Sequence, residues 1–167
     1  MLIDGALVEA TGGATFDNVN PATEEVIGQL PSASHDDMAR AVAAARRAFD
    51  TTDWSTNHAF RRECLLQLQA AIESEQEEFR AELVAEVGCP VLLTYGPQLD
   101  APLREALTWP AEQIESFPWR RSIGPKDAMG VGYQTEREVW KEAAGVVGVI
   151  VPWNFPMEIT LNKIGPV

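Results

Sequence analysis

Asn154 stands between two prolines in the stretch Pro152-Trp153-Asn154-Phe155-Pro156, directly after the apolar run GVVGVIV of residues 145–151. Its carboxamide N–H₂ is a neutral donor. Held rigidly beside a helix N-terminus, it could meet an oxyanion without changing the local charge. The rival reading is that Asn154 satisfies the backbone of its own turn, as asparagine often does. The other groups with chemistry to offer are few. Cys64 lies in ECLLQL beside leucines and reads as a buried small hydrophobe. Cys89 follows a helix C-terminus, whose partial negative charge raises a thiol pKa and so argues against a nucleophile. The two cysteines have neither metal-ligand spacing nor a disulfide framework, so no metal is expected. His35 and His58 match no base arrangement and read as surface residues.

The elements that place Asn154 follow from its neighbours. Residues 146–151, VVGVIV, lack polar alternation and read as a strand covered on both faces, bounded by Gly145 and Pro152. Pro156 suits the first turn of a helix whose stripe is Met157, Leu161 and Ile164. The corner is then a strand-to-helix turn, and the carboxyl ends of strands are where open α/β sheets bind ligands.

Upstream, Asp4-Gly5 predicts a hairpin, and Asn20-Pro21 a turn between two more apolar runs. The two are expected to form one antiparallel unit. Ser34 predicts a helix cap, with Met38, Ala41, Val42, Ala45 and Phe49 at helical spacing behind it. A second helical region carries Leu65, Leu68 and Ile72, breaks near Ser74, and resumes with Phe79, Leu83 and Val87. Gly88 and Pro90 close it. The acidic residues from Glu73 to Glu86 read as its solvated face. Residues 97–118 read as helical despite Pro102 and Pro110. Val131, Tyr133, Thr135, Arg137 and Val139 alternate with polar residues and predict an exposed edge strand open to pairing.

Composition excludes several classes. The 167 residues carry a formal net charge of -12 and no basic run, which argues against nucleic acid and membrane surfaces as partners. The N-terminus lacks the basic and apolar regions of a secretory signal, and no apolar run approaches a bilayer span. A cytoplasmic protein with reduced thiols is expected.

The stretch GVVGVIVPWNFP resembles the Pro-Trp-Asn-Phe-Pro signature of the aldehyde dehydrogenase superfamily. VNPATEEVIGQLP, AVAAARRAFD and EVGCP resemble further family stretches in the same order, although Cys89 replaces the usual lysine. The resemblance implies an α/β fold: the N-terminal part of an aldehyde dehydrogenase, with hairpins and helices in residues 1–122. An oligomerisation arm follows in 123–142, and the first strand, turn and helix of a Rossmann-like part in 143–167. It implies NAD(P)+-dependent oxidation of an aldehyde to a carboxylic acid, with NAD or NADP as cofactor. Asn154 would be the oxyanion donor to the thiohemiacetal. Ile150, Val151, Pro152 and Trp153 would line the cofactor cleft. Phe155 and Ile159 would line the aldehyde tunnel, and Lys163 would belong to a proton path, its bland alternative being a surface lysine near a helix end. The strand at 131–139 would pair copies into a homo-oligomer.

In the family the nucleophilic cysteine and the base glutamate lie beyond the position of Val167, as does the glycine-containing cofactor turn. The expectation is therefore an N-terminal fragment, inactive alone, with its apolar strand lacking neighbours and prone to aggregate. The alternative is a truncated, non-catalytic assembly or interaction module.

Overall fold

Asp4 and Gly5 both adopt left-handed backbone, with φ of 54° and 76°, as a two-residue primed turn requires. They join Leu2–Ile3 (β1) to Ala6–Leu7 (β2) with Leu2 opposite Leu7. Thr15–Val19 (β3) and Val26–Pro31 (β4) form a second hairpin with Phe16 opposite Leu30. Its turn is closed by Asn20 Oδ1, which accepts the N–H of Ala22 at 2.8 Å and of Thr23 at 3.2 Å. The computed structural model describes residues 1–128, 130 and 132–167. The two hairpins form separate two-stranded sheets rather than the single unit expected. Between them Gly12 and Gly13 turn the chain at φ of 84° and 70°. The Thr11 N–H goes to a helix, not to a ladder.

That helix is His35–Thr51 (α1), opened by a reciprocal capping box between Ser34 and Asp37. Its apolar stripe does not face a core: Met38 and Val42 are exposed, and the buried residue is Asp37. His58–Ser74 (α2) and Gln76–Val87 (α3) are separated by Glu75, where φ of -112° and ψ of 16° leave the helical region. Gly88 ends α3 in left-handed conformation with φ of 68°. A Cβ there would lie 2.8 Å from Pro21 Cγ, so the glycine also admits the turn of the second hairpin.

Val91–Thr94 (α4), Asp100–Glu105 (α5) and Thr108–Ser116 (α6) follow. Pro102 and Pro110 fall in the first turns of α5 and α6, where a missing N–H breaks no helical bond. Arg120–Ser122 (β5), Lys126–Ala128 (β6), Tyr133–Thr135 (β7) and Glu138–Trp140 (β8) make two more antiparallel pairs, β5 with β8 and β6 with β7. The single strand expected over 131–139 is thus two strands in different sheets. Glu136 and Arg137 interrupt it, and the Arg137 carbonyl accepts the Ile123 N–H at 3.0 Å. Val131, part of that expectation, lies outside the described residues.

The last helix is Pro156–Ile164 (α7), with Pro156 in its first turn. The core is helix on helix: Ile72 and Leu83 meet Leu99, Leu103, Ala106, Leu107 and Leu161, with Met157 and Ile164 packed alongside. The expected stripe of α7 is therefore its inward face. The strand expected at 146–151 is not formed. A strand is defined by ladder bonds to a neighbour, and no described residue pairs with this run. Its side chains are correspondingly open, Ile150 most of all at 88% exposed.

Candidate functional site

The corner after this run is set by its prolines and by α7. Leu161, at 1% exposure, docks α7 on the core. The helix start is thereby fixed, and with it Phe155, which occupies the N-cap with φ of -138° and ψ of 59° and supplies no side-chain cap. Asn154 precedes it and is exposed. Its backbone carbonyl accepts a hydrogen bond from Gln98 Nε2 at 2.8 Å. Its carboxamide has no partner among the described residues, so the turn does not use the side chain for its own backbone. The donor points from a braced backbone with its N–H₂ available.

Ile150, Val151 and Trp153 are exposed, and Pro152 is half-buried. Together they make an apolar edge leading to Asn154. Phe155 and Ile159 are half-buried and one turn apart, the Ile159 N–H donating to the Phe155 carbonyl at 3.1 Å. Lys163 lies a further turn along, exposed in the last turn of α7. At spacings of four, Phe155, Ile159 and Lys163 share one side of the helix.

This edge suits part of a nicotinamide cofactor and not all of it. Exposed Ile150 and Trp153 offer an apolar face for a flat ring system. Phosphates instead need N–H donors at a helix start, and α7 opens with Pro156, which has none. The edge could wall a ring, while the start of α7 leaves only the N–H groups of Met157 and Glu158 to a phosphate.

The thiols stand apart from this chemistry. Cys64 is half-buried on α2 rather than buried as expected. Cys89 is buried, burial pushes its thiol up, and its S–H donates to the Pro90 carbonyl at 3.4 Å. The direction expected for Cys89 holds, but the cause is desolvation. His35 is exposed as expected. His58 is not a surface residue. It is half-buried and stacked on Trp119 with ring centroids 4.3 Å apart and 12° between planes. Its Nδ1 accepts from Arg61 Nη2 at 2.6 Å. Burial, and then the Arg61 charge, hold it below the ordinary histidine range. Among the described residues no cluster of His, Cys, Asp and Glu could hold a metal ion. No helix among them is long and apolar enough to cross a membrane.

The model of the aldehyde dehydrogenase family matches residues 7–167. This chain belongs to the aldehyde dehydrogenase family. The resemblance read from the proline-framed corner is borne out across almost the whole chain. The aminoacetaldehyde dehydrogenase of Pseudomonas aeruginosa is 36% identical over 165 residues, covering 98% of this chain and 32% of that protein. The 3-succinoylsemialdehyde-pyridine dehydrogenase of Pseudomonas sp is 35% identical, again over 98% of this chain and 32% of that one. Among solved structures, an indole-3-acetaldehyde dehydrogenase of P. syringae in complex with NAD+ and IAA superposes with a TM-score of 0.84 at 30% identity. That match covers 98% of this chain and 32% of the dehydrogenase. This aldehyde dehydrogenase chain thus spans about a third of the length of the curated relatives it matches. Gln98, which braces the corner, was not legible in the sequence. Nothing local announces it, since it reaches Asn154 from 56 residues away.

Proposed function

We propose that these residues form the oxyanion corner and one wall of the cofactor cleft of an enzyme that oxidises an aldehyde to a carboxylic acid with NAD+ or NADP+. What supports this most is the state of Asn154: an exposed carboxamide, free of its own turn, on a backbone held from outside. When bound, the cofactor accepts the hydride that leaves the aldehyde carbon. Asn154 donates to the carbonyl-derived oxygen as negative charge gathers there, and it is placed before the reaction begins. Ile150, Val151, Pro152 and Trp153 form the wall against the cofactor ring and exclude water from that side. Phe155 and Ile159 present an apolar path for the aldehyde. Lys163, exposed at the end of α7, belongs in this reading to a proton path.

Neither Cys64 nor Cys89 has the environment of a nucleophile, so this reading needs a thiolate and a base from outside residues 1–167. The 167-residue chain alone is then inactive. Residues 1–122, 123–142 and 143–167 act in it as helical support, arm and corner. The two unlinked cysteines fit a reducing, cytoplasmic setting.

The test is Asn154→Ala in the active dehydrogenase containing these residues. A fall in kcat of about 10²–10³-fold, with the melting temperature unchanged, is the expected result. A kcat close to that of the parent enzyme overturns the proposal.

A second role has its own observation. All residues of β5, β7 and β8 are exposed, and among the described residues each arm sheet has two strands, so ladder groups remain for another chain. The arm around residues 131–139 would pair two copies of the chain. Sedimentation of a Val139→Pro variant as a smaller species would support this, and unchanged mass would oppose it.

A further inference from the structure

Gln98 lies in the turn between α4 and α5, with only 4% of its surface exposed. Its backbone is fixed on both sides. The Gln98 N–H donates to the Leu93 carbonyl at 3.0 Å, and Leu99 beside it is completely buried in the helical core. Arg80 ties down the ends of the same turn. Its Nη1 donates to Thr94 Oγ1 and its Nη2 to Asp100 Oδ1, both at 2.9 Å. The guanidinium also lies 4.0 Å over the Tyr95 ring. From this braced turn Gln98 extends its amide to the Asn154 carbonyl at 2.8 Å. A carbonyl can only accept, so this contact decides which end of the amide is the N–H₂. The other end, Oε1, is buried without a partner among the described residues. The amide is therefore oriented by Asn154 and not by surroundings that would hold it there in any case.

We infer that Gln98 is a positioning residue for the oxyanion donor: its amide fixes the peptide after Asn154 and so aims the Asn154 carboxamide. This rests on the proposed role of Asn154. The Gln98 side chain touches neither substrate nor cofactor in this scheme. Its effect passes through one backbone bond. That bond acts on the direction of the Cα–Cβ vector of an exposed side chain whose carboxamide has no partner of its own among the described residues. A donor aimed at a developing charge loses its advantage with small misplacements.

The experiment uses Gln98→Met, which keeps length and apolar volume but cannot donate, and Gln98→Glu, which donates only when protonated. In the active dehydrogenase containing these residues, Gln98→Met lowers kcat by about tenfold, less than loss of the donor itself, with KM little changed. In an Asn154→Ala background the same change has no further effect. Gln98→Glu recovers kcat relative to Gln98→Met as pH falls. In the chain itself, the Asn154 carbonyl ¹³C resonance moves upfield in Gln98→Met as its hydrogen bond is lost. An equal loss of kcat in both backgrounds, or an unmoved Asn154 resonance, overturns the positioning role. If Asn154→Ala alone leaves kcat intact, the oxyanion reading fails instead, and the resonance still decides whether Gln98 holds the corner.

Discussion

Thr11 and Asp37 join the hairpin end of the chain to its first helix. The Thr11 hydroxyl donates to Asp37 Oδ1 at 2.6 Å, and the Thr11 N–H donates to Oδ2 at 3.0 Å. Ser34 adds its own N–H at 2.9 Å and hydroxyl at 2.8 Å to Oδ2, so a carboxylate with 1% exposure is surrounded by donors. The Thr11 hydroxyl, followed by the backbone donors of Ser34 and Thr11, holds this carboxyl far below the ordinary value of 3.8. One side chain thereby serves both as helix cap and as tertiary tie.

The pH consequence has a definite sign. In the unfolded chain Asp37 takes up its proton first as the solution is acidified, because its folded pKa is the lower one. Its stabilisation is complete above the unfolded value and drains away as pH falls, beginning at about pH 5. The melting temperature should drop through this range. In Asp37→Asn it should start lower at neutral pH and fall less steeply on acidification. Parallel curves for the two proteins would rule out this source of acid sensitivity.

Arg80 makes a different prediction, since it sits nearly buried among Glu77, Asp100 and Thr94. The hydrogen bonds that it donates to Glu77 and Asp100 keep its guanidinium charged, above even the usual arginine value. Glu77 is 75% exposed and contributes little. Asp100, at 23%, is the partner that would be stranded. Arg80→Ala should cost about 3 kcal/mol in urea unfolding, because it takes the cation from a half-buried carboxylate and leaves it the neutral Gln76 amide at 2.7 Å. Arg80→Lys should not restore this, as an ammonium cannot span Thr94 and Asp100 with a fixed fork. Pairing Arg80→Met with Asp100→Leu should recover most of the loss.

Local signals in the sequence carried well. Asp4-Gly5, the Ser34 cap, the break near Ser74, Gly88 and Pro156 each act through their own backbone, and each is where the residue types put it. Pattern failed where the outcome depends on a distant partner. The stripe of Met38 and Val42 predicts a buried face, yet those residues are exposed while Asp37 is buried by Thr11. Residues 146–151 have a strand's composition, but composition cannot provide the neighbour that makes a ladder. The family and the proline-framed corner were legible, whereas the sequence left open whether Asn154 serves its own turn. The brace from Gln98 was not legible, because periodicity and spacing say nothing about a contact between two turns.

His58 gives a second pH window, separate from that of Asp37. Burial and then Arg61 lower its pKa from 6.5, so the folded protein favours the neutral ring that accepts from Arg61 and stacks on Trp119. Its contribution is present above the unfolded value and is lost as pH falls below 6.5 and through the lower folded value. Tryptophan fluorescence should therefore titrate below pH 6.5. In His58→Phe, which keeps a ring against Trp119 but cannot be protonated, this step should vanish. A midpoint above 6.5 would mean that the ring gains a proton on folding, contrary to its surroundings.

Gly165 tests whether the seat of α7 matters to the corner. It closes that helix with right-handed backbone, φ of -61° and ψ of -51°, so alanine would be conformationally comfortable there. Helix propensity alone would favour the change by about 1 kcal/mol. Space argues the other way. A Cβ would strike the Ala106 carbonyl oxygen and lie 2.9 Å from Pro110 Cγ, joining α7 to α5 and α6 at a point with no flexible side chain to yield. Backbone must move, and sterics should outweigh propensity. Gly165→Ala should cost about 1–3 kcal/mol by urea unfolding. Gly148→Ala has open space within 4 Å and should be neutral. Because Leu161 and Gly165 seat the same helix that begins at Pro156, Gly165→Ala should also shift the Asn154 carbonyl resonance, whereas Gly148→Ala should not. Loss of stability without that shift would show that the corner is held from the Gln98 side alone.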